Sequence, residues 1–164
     1  MIGQEDMWVH HVIAAIGLSF NVFEPWPLLP MSDVGEKGIY QPVGDTSGIV
    51  FVRYGPEETV EKYIGKLGGM FTKVSMIGDE ALTVSDRSAR RVTVRMVSQP
   101  REMYRDEPGR GITHETLPAE RTVLTVIGFS NRGIPILVGY RIPEESIERY
   151  RYKVESMLKS ISIF

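Results

Sequence analysis

Arginine dominates the chemistry available to this chain. Between Ser98 and Pro118, a polar stretch without apolar periodicity holds Arg101, Tyr104, Arg105, Arg110 and His114, with Glu102, Asp106, Glu107 and Glu115 among them. Guanidinium groups present planar forks of donors that match carboxylate and phosphate oxygens. These five residues are therefore the candidate ligand-binding set, for an anion. A connection this long without regular structure tends to be functional or disordered, and the plainer reading of the same residues, a solvated hairpin extension, is the favoured one. Arg91 and Arg95 lie two residues either side of Thr93, so on a strand they share a face. Such a row is more often a sheet edge or ion-paired surface than a binding strip. Trp26, Leu28 and Leu29 sit among Pro25, Pro27 and Pro30. A rigid apolar loop of this kind docks a partner or folds back to plug the core. Trp26, Leu28, Leu29, Arg91 and Arg95 form the candidate partner-binding set.

No arrangement of these groups reads as catalytic. His10 and His11 are adjacent, so they point to opposite faces of a strand or diverge by about 100° on a helix. No further ligand is spaced to join them around a metal. His114-Glu115 opens like a zinc-binding helix, but Pro118 stands where the second histidine belongs. Gly65-Lys66-Leu67-Gly68-Gly69 falls within and at the end of a helix, where it reads as a helix stop rather than a phosphate cradle. No Gly-x-Ser-x-Gly elbow occurs. The lack of cysteine removes thiol nucleophiles, thiolate metal sites and disulfides. The expectation is a chain with no catalytic residue, no metal and no cofactor, suited to binding more than to catalysis.

The elements that must carry these residues follow from periodicity. Strands are expected at Leu18 to Phe23, Gly38 to Val43, Gly48 to Tyr54, Lys73 to Val84, Arg90 to Val97, Arg121 to Phe129 and Ile134 to Arg141. Ser85 to Ala89 and Ser130-Asn131-Arg132-Gly133 supply turns, the second with the Asn and Gly that positive φ favours. A helix is expected to open at Gly55-Pro56, with Glu57 and Glu58 in its first turn, and to stop at Gly68-Gly69. A second starts at Pro143 and carries Ile147, Tyr150, Val154, Met157, Leu158 and Ile161 on one stripe. Central strands apolar on both faces need cover on both sides. The fold class is therefore α+β, a mainly antiparallel sheet with a helix on each face.

The whole sequence supports one such domain, 1–164. It has 164 residues, 42% of them hydrophobic and 24% charged, enough for a core and too apolar for disorder. A net charge of -2 argues against a nucleic-acid partner. The charge is divided, however: residues 1–86 carry 5 basic and 12 acidic side chains, residues 87–164 carry 14 and 9. Val12 to Met31 is the most apolar stretch, but Ser19, Asn21, Glu24 and three prolines interrupt it, so no membrane span is expected. The start lacks a basic export pattern, which makes a cytoplasmic location the default.

Two segments echo each other: Pro56 to Tyr63 reads PEETVEKY and Pro143 to Tyr150 reads PEESIERY. Shared helix-capping grammar and an internal duplication of strand plus helix, at 48–70 and 134–158, both explain the match. The order of elements also carries a resemblance. An early strand with Gly17-Leu18-Ser19-Phe20 and then Pro25-Trp26 leads to paired strands and a helix. A closing strand and the helix end Val154-Glu155-Ser156-Met157-Leu158-Lys159-Ser160-Ile161 complete the pattern. This resembles the PsbP-like superfamily, with its photosystem II, DcrB-type and Eag-type chaperone members. The resemblance implies an α/β/α sandwich and an accessory or binding role, and it transfers no catalytic residue. Two functions remain open. One is an adaptor or chaperone-like protein holding a protein segment on a sheet groove or apolar loop. The other is a binder of a small anionic molecule, or a modest enzyme, using residues 98–118.

Overall fold

A computed structural model describes residues 8–23, 28–29, 36–40 and 49–164. Its frame is a seven-stranded sheet in the order β3-β4-β5-β11-β10-β7-β6, antiparallel throughout. The strands are β3 (Leu28–Leu29), β4 (Glu36–Tyr40), β5 (Ile49–Tyr54), β6 (Lys73–Val84), β7 (Arg87–Val97), β10 (Arg121–Asn131) and β11 (Ile134–Pro143). A small sheet joins β1 (Trp8–Ile13), β2 (Leu18–Phe23) and β12 (Ser162–Ile163), in the order β1-β2-β12. The strand at β1 has no counterpart in the sequence expectation.

Alternation along the central strands builds two cores, one on each face. Val50, Val52, Ile127, Phe129 and Val138 pack toward α2 (Ile147–Lys159) and β2. Phe51, Val92, Val94, Leu124, Val126 and Leu137 pack toward α1 (Val60–Leu67). Neighbours such as Phe51 and Val52 thus enter opposite cores, as a period of two requires. Helices cover both faces, as the doubly apolar strands demanded. Burying each such side chain stabilises the fold by about 1.5–3 kcal/mol. Gly128 admits α1 to this packing, because a Cβ there would collide with Val60 Cγ2.

Three local expectations need correction. α1 begins at Val60, not at Pro56, because Thr59 caps it by accepting Lys62 N at 3.3 Å. Glu58 is held outside the helix by Arg53, whose Nε and Nη2 reach its two carboxylate oxygens at 2.8 and 2.9 Å. The β6–β7 turn is only Ser85-Asp86, with φ of 47° and 64°, so Arg87 to Ala89 belong to the strand. The third concerns residues 98–118, which are not an irregular loop but a regular hairpin, in line with the plainer of the two readings. They form a hairpin of β8 (Arg101–Glu107) and β9 (Gly111–Leu117), whose strands pair only with each other among the described residues. The β10–β11 turn falls within the expected tetrapeptide, but its positive-φ pair is Arg132-Gly133, with φ of 53° and 76°, and Asn131 is the last residue of β10. Pro143 ends β11, and a single 3-10 turn, Glu144–Ser146, precedes α2.

Candidate functional site

The hairpin separates the residues expected to grip an anion. Tyr104 lies opposite His114 and Arg105 opposite Thr113, so Arg101 and Arg105 share one face of the ribbon while Tyr104 and His114 occupy the other. The rings of Tyr104 and His114 stand 5.0 Å apart, and Glu102 accepts a hydrogen bond from Tyr104 Oη at 2.9 Å. His114 Nε2 lies 3.3 Å from the same carboxylate. Arg110 sits beyond both faces at the turn, 3.9 Å from Glu107. Five side chains on two sides and one tip do not converge on one ligand.

The strand register assembles a different site on the α2 face. Thr93 on β7 pairs with Thr125 on β10, and Thr125 pairs with Tyr140 on β11. Three polar side chains therefore cross the sheet in one row, with Gly78 of β6 ending the row at the sheet margin. Thr93 Oγ1 and Thr125 Oγ1 are 3.2 Å apart, and Thr125 also bonds to Tyr140. Tyr140 Oη donates to Glu155 of α2 at 3.1 Å, and Glu155 pairs in turn with Arg91 Nη2. Thr125 is 1% exposed and Tyr140 4%, so the row is buried at its centre and opens only toward Thr93. Among the described residues no buried side-chain polar atom lacks a partner.

Above this row a cleft of about 380 Å³ opens between the sheet and α2, walled by Arg91, Arg95, Glu144, Ile147, Arg151 and Glu155. Ile77, an extra residue where the β6–β7 register shifts between Met76 and Gly78, stands at its rim. A second cleft of about 270 Å³ shares Arg91 and continues past Leu82, Ile127, Leu158 and Lys159. Arg91 and Arg95 thus occupy an interior strand of the sheet, flanked by β10 and β6, and not an edge. Their ion pairing agrees with the sequence reading: Arg91 meets Glu155 and, at 3.8 Å, Glu80, while Arg95 Nε meets Glu144 at 2.8 Å.

Protonation is fixed by this packing. Burial pushes the Tyr140 hydroxyl up from its ordinary pKa, and the neighbouring Glu155 carboxylate adds to that shift. Tyr140 is accordingly a donor. Burial works against the Arg91 charge, but the hydrogen bond and charge of Glu155 outweigh it and raise the guanidinium above its usual value. The arrangement can hold charged and hydrogen-bonding groups of a ligand in fixed positions.

The other sequence candidates lie elsewhere. Trp26 is outside the described residues, and Leu28 and Leu29 form β3 at the far margin of the sheet, next to β4. His10 Nδ1 stands 3.1 Å from Asn21 Oδ1 on the small sheet, and burial, then His10, lowers the pKa of His11. Among the described residues no three His, Asp or Glu side chains are placed to share a metal ion. No described helix is long and apolar enough to cross a membrane. Thr125, Tyr140, Glu144 and Glu155 were not candidates in the sequence. Thr125 left the one usable signal, a hydroxyl inside the apolar run Leu124 to Ile127.

Solved structures share the overall fold. Cyanobacterial PsbP (CyanoP) from Synechocystis superposes with a TM-score of 0.65 at 11% identity, covering 100% of this chain and 97% of that one. LpqN of Mycobacterium tuberculosis, described as involved in cell envelope biogenesis, superposes with a TM-score of 0.56 at 14% identity, covering 97% and 90%. The chain has a PsbP-like fold. No protein-family profile and no curated protein sequence matches it.

Proposed function

We propose that this chain is a non-catalytic binding or accessory protein that holds a segment of a protein partner in the cleft between β7 and α2. The observation that carries the reading is the polar row Thr93–Thr125–Tyr140, buried beneath Glu155 and Arg91 and open to solvent at one end. Buried polar networks seldom stabilise a fold better than apolar packing of the same volume, so one set against an open cleft is a candidate for recognition. Its groups suit recognition. Tyr140 is kept protonated, and the wall carboxylates Glu144 and Glu155 face arginines. The three histidines lie on β1 and β9, on other parts of the fold. The accessory role implied by the PsbP-like resemblance supports the same conclusion.

Site-specific photo-crosslinking tests it. A photoreactive residue replacing the half-exposed Ile77 at the rim is expected to capture a defined partner segment from native lysate. The same probe at exposed Met70, beyond the end of α1, is expected to capture none. Arg95→Glu should abolish capture from position 77. Equal capture from both positions, or none from position 77 with a folded sample, overturns the reading.

A further inference from the structure

We infer that the segment received by this cleft is an extended, acidic stretch of peptide, with a carboxylate seated over Thr93 between Arg91 and Arg95 and an aliphatic side chain two residues along entering the second cleft at Leu82 and Leu158. The inference rests on the proposed function and specifies its partner. Shape comes first. Arg91, Thr93 and Arg95 are alternate residues of one strand, so the floor runs parallel to β7 for about 13 Å, the span of four extended residues. A chain lying along it presents every second side chain downward, at the same interval as the floor.

Charge decides the rest. Arg91, Arg95, Arg151 and Lys159 line the two connected clefts, against Glu144 and Glu155. Cations in the lining itself exceed anions by two, while Glu80 and Glu148, outside it, pair with Arg91 and Arg151 at 3.8 and 3.0 Å. The arginines also keep donors in reserve. Arg95 meets Glu144 through Nε, and Arg91 meets Glu155 through Nη2 and, at 3.8 Å, Glu80 through Nε, while each guanidinium carries five N–H groups. A ligand carboxylate can take the remaining donors without displacing Glu144 or Glu155. Gly78 has no side chain to cover Thr93, so the hydroxyl faces the incoming group. The second cleft, walled by Leu82, Val84, Ile127, Leu158 and Ile161, suits an aliphatic side chain two residues along.

The probe is a fluorescein-labelled hexapeptide, Asp-Ser-Val-Ser-Asp-Ser, blocked at both ends so that Asp and Val share one face of the extended chain, compared with its Asn-for-Asp twin. Fluorescence anisotropy with the full chain is expected to show the acidic peptide binding at least about tenfold more tightly. Arg95→Gln should weaken it by about tenfold, while Arg149→Gln, on the exposed side of α2 away from both clefts, should leave it unchanged. Equal binding of the two peptides overturns the acidic specificity; capture from position 77 would then still uphold segment binding. Failure of both peptides together with failure of that capture overturns both proposals. Free glutarate matching the peptide in affinity overturns the peptide in favour of a small carboxylate.

Discussion

Glu155 accepts from both Tyr140 Oη and Arg91 Nη2, which joins the polar row of the sheet to the wall of the cleft. The Arg91 and Glu155 side chains are only 23% and 22% exposed, so water compensates poorly for a lost partner. Glu155→Gln keeps an oxygen for Tyr140 and removes the charge facing Arg91. It is expected to lower stability by about 1–3 kcal/mol in urea unfolding; a variant as stable as the parent would mean that Arg91 turns wholly to Glu80. Tyr140 gives a second test. Its folded pKa is raised, so its contribution is complete below the unfolded value of about 10 and is lost as pH climbs through the folded one. Thermal melts should therefore show a steeper alkaline decline for the parent than for Tyr140→Phe. Identical alkaline limbs would remove Tyr140 as the cause. None of this chemistry was legible in residue types alone, because Thr93, Thr125, Tyr140 and Glu155 lie on four different elements. The register of β7, β10 and β11 brings the first three together, and α2 adds Glu155. Arg91 and Arg95 were legible, since their shared face needs only the period of a strand.

At the level of elements, sequence reasoning succeeded where the pattern is local and failed where a distant contact decides. The strand β2 agrees with its expectation to the residue, and the β10–β11 turn lies in the expected tetrapeptide, with Gly133 but not Asn131 at positive φ. The start of α1 does not, because Arg53 on the preceding strand withdraws Glu58 and leaves Thr59 as the cap. The two Pro-Glu-Glu lead-ins nonetheless act alike, each preceding a helix whose first buried tyrosine, Tyr63 or Tyr150, faces its own core. The hairpin β8–β9 illustrates a different independence. Its base is closed by Ser98 N to Glu120 O at 2.9 Å and Glu120 N to Ser98 Oγ at 3.0 Å, so the strands beyond Ser98 add no pairing to the main sheet. Replacing residues 100–118 with a short Asn-Gly turn should leave Tm within a few degrees of the parent and acidic-peptide binding intact. Loss of binding with an unchanged melt would return Arg101, Arg105 and their neighbours to the site.

The uneven charge of the two halves of the chain is resolved by topology. Strands from residues 1–86 flank those from 87–164 on both sides, with β5 against β11 and β6 against β7. Opposite charges consequently meet across the division: Arg90 reaches Asp79 at 2.8 Å and Glu61 at 2.6 Å, and Arg91 reaches Glu80 at 3.8 Å. The acidic and basic halves make ion pairs where a separated arrangement would make a dipole. These contacts are largely exposed and individually weak, so their signature is a pH dependence rather than a large stability. The hydrogen bond from Arg90 holds the Asp79 carboxyl below its ordinary pKa. A carboxylate depressed by folding stabilises the protein above its unfolded value, about pH 4, and that contribution disappears as pH falls through the folded value. Unfolding midpoints recorded from neutral pH down to about pH 2 should therefore fall more steeply for the parent than for Asp79→Asn. Asp106→Asn, on the hairpin and without an ion pair among the described residues, should follow the parent curve. If Asp79→Asn follows it as well, the pairing across the two halves does not contribute to acid sensitivity, and the divided charge acts only at longer range.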